Sequence, residues 1–133
     1  MARIESAAAI IKTISDEKSL DLFKTIATGA MIDSETLRSK MKLTRKQYYS
    51  RLSRMVKSGI VKRRGGKYFL TAFGKVVYGT QMTIESAIKD YWKLKAIDSL
   101  EVSDELPIEE RKKLIDAILD NKDLKGILVK ESG

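Results

Sequence analysis

Residues 37–75 read LRSKMKLTRKQYYSRLSRMVKSGIVKRRGGKYFLTAFGK, and a change of period inside this stretch decides the fold. Over residues 44–58 the apolar side chains Tyr48, Leu52, Met55 and Val56 recur at helical spacing. Stepping about 100° per residue places the four in one stripe. Thr44 precedes the stripe as a natural N-cap, and Gly59 follows it as a natural helix stop. Lys46, Ser50, Ser53, Arg54 and Lys57 fall on the opposite face. One side of this helix therefore builds a core while the other is polar and basic. After Gly59 the period becomes two. Residues 60–63 and 67–70 read as short strands, with Arg64, Gly65 and Gly66 between them. A Gly-Gly pair supplies the positive φ values of a tight hairpin turn, so a hairpin with a basic tip is predicted.

The segments before this stretch read as helices. Residues 3–12 place Ile4, Ala7, Ala8 and Ile11 at helical spacing, giving a short first helix or arm over residues 1–14. Ser15 is the expected cap of a helix over residues 16–28, with Asp16 and Glu17 in its first turn and Gly29 at its end. Its stripe is Leu20, Phe23 and Ile26 or Ala27. Asp33 is the expected cap of a short helix over residues 34–41, with Leu37 and Met41 inward.

Behind the hairpin, one long helix is predicted from Thr71 to about Leu100, weakened near Gly74 and Gly79, where a bend is expected. Pro107 fits the first position of a further helix, with Glu109 and Glu110 in its first turn and Leu114, Ile115, Ile118 and Leu119 as its stripe. A last apolar piece covers residues 124–129. The expected fold class is mainly α with a small β-hairpin, residues 15–78 forming one domain and residues 79–133 a helical extension.

Charge is distributed as unevenly as hydrophobicity. The chain has 133 residues, 26 of them Lys or Arg and 18 Asp or Glu, for a net charge of +8. Residues 36–84 contain no acid and thirteen of the bases: Arg38, Lys40, Lys42, Arg45, Lys46, Arg51, Arg54, Lys57, Lys62, Arg63, Arg64, Lys67 and Lys75. Removing them leaves thirteen bases against 18 acids, a net of −5 elsewhere. Positive charge confined to a helix and an adjacent hairpin points to a polyanion, most simply nucleic acid. There is no Cys and no His. The usual zinc and copper ligands and the Ser-His and Cys-His catalytic pairs are therefore missing, so neither an enzyme nor a cofactor is expected. Gly65-Gly66 lacks the surroundings of a phosphate loop and reads as a turn. No signal peptide or membrane span is read in the chain, and a cytoplasmic, nucleoid-associated protein is expected.

Together these residues resemble the winged helix-turn-helix domain of bacterial and archaeal transcriptional regulators. The resemblance rests on a short helix, a turn and a second helix closing on Val56-Lys57-Ser58-Gly59-Ile60-Val61, then the hairpin, then the exit Leu70-Thr71-Ala72-Phe73-Gly74. The Lys- and Ile-rich composition resembles that of archaeal members. The resemblance covers residues 16–78. It implies a sequence-specific regulator of double-stranded DNA, with the helix at 44–58 in the major groove and the hairpin, as a wing, on the minor groove or backbone. Lys46, Gln47, Ser50 and Arg54 would then face the groove, with Tyr49 beside them and Arg54 the best candidate for a guanine contact. Thr44 and Arg45 would meet phosphates at the helix start. Lys57, Arg63, Arg64 and Lys67 complete the surface with Lys62, and Arg38, Lys40 and Lys42 would touch the backbone.

The C-terminal helices lie outside the resemblance. They either fold back on the domain or join two copies, and a homodimer is the favoured reading. Ile84, Ile88, Tyr91, Trp92, Ile97, Ile115, Ile118 and Leu119 are its candidate interface. The alternative function is a non-catalytic architectural or protein-interaction module, docking for instance on a component of the transcription machinery.

Overall fold

The computed structural model describes residues 4–29, 34–100 and 106–130, with the side chain of residue 130 left aside. Asp33, the expected cap of the third helix, lies outside the described residues. The elements run α1 (Ala7–Thr13), α2 (Glu17–Ala27), α3 (Ser34–Lys40), α4 (Arg45–Lys57), β1 (Val61–Arg64), β2 (Lys67–Leu70), α5 (Ala72–Lys89), α6 (Tyr91–Leu100), α7 (Ile108–Ile118) and α8 (Lys122–Lys130). The chain is mainly helical with one small antiparallel hairpin, an arrangement compatible with a winged helix. It divides into two compact units, Met1–Tyr78 and Gly79–Gly133.

In the first unit, α1 is not a free arm. Ile10 is buried and joins the core of Leu22, Phe23, Leu37, Leu43, Tyr48, Leu52, Met55, Ile60, Val61 and Leu70. Each such side chain contributes roughly 1.5–3 kcal/mol by leaving water. Phe23 meets Tyr78 edge to face, with ring centroids 6.1 Å apart. The cap of α2 falls one residue later than the spacing suggests. Asp16, not Ser15, accepts the Ser19 amide at 3.1 Å, because a carboxylate at the N-cap position reaches the N3 amide directly. Tyr48, Leu52 and Met55 form the buried stripe of α4. Val56, at the edge of that stripe, is exposed.

The hairpin pairs Val61 with Leu70, Lys62 with Phe69, Arg63 with Tyr68 and Arg64 with Lys67. Gly65 and Gly66 carry φ of 59° and 78°, the positive values that a two-residue hairpin turn demands.

The long helix predicted over residues 71–100 is divided at Asp90 into α5 and α6, and not at either glycine. Gly74 has another task. A Cβ placed there would lie 1.9 Å from the Ile60 carbonyl oxygen, so the glycine lets the first turn of α5 approach the backbone entering the hairpin. Thr71 ties the same junction. Its hydroxyl donates to the Gly59 carbonyl and accepts the Gly74 amide at 2.9 Å.

In the second unit, Ile97, Ile115, Leu119 and Leu124 form a core, with Ala87, Leu94, Ile118 and Leu128 packed against it. Pro107 stands at the N-cap of α7, one position before the one expected.

Candidate nucleic-acid interface

The start of α4 is fixed by a reciprocal capping box. The Thr44 hydroxyl accepts the Gln47 amide and the Gln47 side-chain oxygen accepts the Thr44 amide, both at 3.1 Å. This closure fixes where the helix begins. With Tyr48, Leu52 and Met55 locked inward, Lys46, Ser50, Ser53, Arg54 and Lys57 stand outward and exposed. Lys62, Arg63, Arg64 and Lys67 are exposed on the hairpin, and Lys40 and Lys42 at the end of α3. Lys42 takes a φ of 55°, which turns the chain tightly between α3 and α4. The same turn is held from α2, where Lys18 Nζ donates to the Met41 carbonyl at 3.2 Å.

Several expected contacts are committed within the protein. Arg38 donates from Nη2 to Glu35 Oε2 at 2.8 Å and from Nη1 to the Leu43 carbonyl at 3.1 Å. It braces the turn before α4 and is withdrawn from the outward face. Glu35 and Arg38 stand three residues apart on one helix, a spacing that pairs opposite charges and that the sequence displays openly. The capping box uses the Gln47 side-chain oxygen and one acceptor site of the Thr44 hydroxyl, which leaves the Gln47 NH2 and the Thr44 O–H as the groups able to donate to a base or a phosphate. The Thr-x-x-Gln spacing was likewise open to inspection. Arg63 remains exposed but holds its guanidinium 6.0 Å from the centre of the Tyr68 ring. Tyr49 lies edge to face on Tyr48, at 5.1 Å between centroids. It also borders a cavity of about 640 Å³ shared with Tyr68, Phe69 and Lys67.

Arg51 belongs to the acid-free stretch yet turns away from the basic face. It donates to Asp16 Oδ2 at 3.3 Å and to the Gln47 carbonyl at 3.2 Å, tying α4 to the cap of α2. Burial alone would raise the Asp16 carboxyl. The hydrogen bonds from Ser19 and the Arg51 guanidinium outweigh it and hold the group below its ordinary value. Nothing local marks this pair, since its members are 35 residues apart. Burial is the leading cause that raises the Tyr48 hydroxyl, as fits a core residue.

The face proposed to join two copies is smaller than expected. Ile97, Ile115 and Leu119 are buried in the second unit's own core and Ile118 packs against it, so these four are not a free interface. Ile84, Ile88, Tyr91 and Trp92 are exposed, Trp92 at 75 %. Lys95 Nζ lies 5.6 Å from the centre of the Trp92 ring and 5.9 Å from that of Tyr91.

No family model matches the chain, and no curated protein or solved structure matches it significantly. Among the described residues, no helix is long and apolar enough to cross a membrane.

Proposed function

We propose that the first unit is a winged helix-turn-helix domain that binds double-stranded DNA as a transcriptional regulator, without catalysis. The observation that carries this reading is the exposure, within a stretch of sequence without acids, of Lys46, Arg54 and Lys57 on α4 and of Lys62, Arg63, Arg64 and Lys67 on the hairpin. In this reading α4 enters the major groove, about 12 Å wide, with Lys46, Ser50, Ser53 and Arg54 toward base edges. The hairpin lies along the backbone or the neighbouring minor groove, where cations meet the strongest negative potential. The exposed face of Ile84, Ile88, Tyr91 and Trp92 joins two copies, which matches a two-fold protein to a palindromic site.

Two substitutions separate reading from holding. Arg54→Ala lowers discrimination between a selected site and random duplex by about 1–3 kcal/mol. Arg64→Ala weakens binding to both duplexes alike and reduces the salt slope by about one contact. Fluorescence anisotropy against the two duplexes across a salt series measures both effects. Equal losses on both duplexes for Arg54→Ala would remove the base-reading role. Binding that grows with duplex length and leaves no footprint would favour an architectural module instead.

A further inference from the structure

Glu35 is the last acid before the basic stretch, and it stands among the cations at the start of α4. Its two carboxylate oxygens serve different arginines. Oε2 accepts from Arg38 at 2.8 Å and 3.3 Å, through Nη2 and Nε. Oε1 lies 3.5 Å from Arg45 Nε. The two arginines are held very differently. The Arg38 side chain is 24 % exposed and also anchored to the Leu43 carbonyl. The Arg45 side chain is 74 % exposed and meets Glu35 by one long contact. It sits in the first turn of α4, beside amides that have no partner inside the helix.

We propose that Glu35 is an internal stand-in for a phosphate: it holds Arg45 in the free protein and releases it to a DNA phosphate on binding. This inference rests on the DNA-binding reading above. A carboxylate and a phosphate each present oxygens to a guanidinium, so Arg45 can exchange one for the other without losing a charge-assisted contact. The exposed pair with Glu35 is weak, which keeps the exchange easy. Arg38 stays bound to Glu35 throughout and partly neutralises it when a phosphate arrives. Glu35 thereby lowers affinity for every duplex by the cost of that exchange, without touching the bases.

The test is a double-mutant cycle read by anisotropy on one fixed duplex at about 100 mM salt. Glu35→Gln tightens binding by about 2–5-fold, the range of one weak ion pair, and the gain shrinks as salt screens it. In an Arg45→Ala background the same substitution changes affinity by less than about 1.5-fold, because the exchangeable guanidinium is gone while Arg38 stays tied to the Leu43 carbonyl. Glu35→Asp keeps a charge in the first turn of α3 but withdraws it from Arg45, and gives a smaller gain than Gln. It serves if Glu35→Gln melts early by circular dichroism. Unchanged or weaker binding by folded Glu35→Gln overturns the inference, since Glu35 would then merely orient Arg45. A gain that persists undiminished with Arg45→Ala also overturns it, because that is simple repulsion. If the unaltered protein binds no duplex, the DNA-binding reading falls and this inference with it. If it binds and Glu35→Gln does not tighten, only the inference falls.

Discussion

A single absent methyl group governs the junction between the hairpin and the helix that follows it. The Ile60 carbonyl accepts the Thr71 amide at 3.1 Å, and it occupies the space a Gly74 side chain would need. The obstacle is backbone, so it cannot swing aside as a flexible side chain would. Gly74→Ala therefore destabilises the protein by about 3 kcal/mol, at the upper end of overpacking costs. Gly79 provides the control, because a Cβ there meets nothing within 4 Å and its φ is not positive. Gly79→Ala stabilises by roughly 0.5–1 kcal/mol through helix propensity alone. Urea denaturation followed by circular dichroism measures both, and similar midpoints for the two variants would contradict this account of Gly74. The sequence marks both glycines as weak points in a helix. It does not show that only one of them faces a neighbouring carbonyl.

At the scale of elements, α4 has two jobs that its residues divide between them. Tyr48, Leu52 and Met55 seat it, the capping box fixes its start, and Arg51 ties it to α2 through Asp16. Because the Asp16 carboxyl titrates below its unfolded value of 3.8, its charge stabilises the fold at every pH above that value. The contribution is lost as the pH falls through the folded-state value. Asp16→Asn retains a capping oxygen but removes the charge. At neutral pH it costs at most about 1 kcal/mol, since the Asp16 side chain is about half exposed and solvent screens the pair. Thermal melts of the two proteins from pH 7 down to pH 2 should draw together as the pH drops below 3.8, and a constant gap would contradict the ion-pair account. Periodicity made α4 and the hairpin legible, because a helical stripe and a two-residue alternation each fix which side chains share a face. It could not tell which cations of the basic stretch would find internal partners. Arg38 and Arg51 both do, one through a neighbour on its own helix and the other through a residue far along the chain.

Across the whole molecule, each unit has its own buried core, and the charge is polarised toward the first. The same periodicity that located the C-terminal helices misassigned part of their apolar surface. Ile97, Ile115 and Leu119 share faces suited to burial, but spacing shows which residues lie together and not what covers them. In the structure α6, α7 and α8 cover one another there, while Ile84, Ile88, Tyr91 and Trp92 stay outside. Selecting duplexes from a random pool with this chain, and measuring the stoichiometry of the selected complex, tests whether α4 and the hairpin read double-stranded DNA. The expected result is a short inverted repeat bound by two chains, with affinity falling steeply as salt rises. Recovery of no enriched sequence, with binding insensitive to salt, would contradict it.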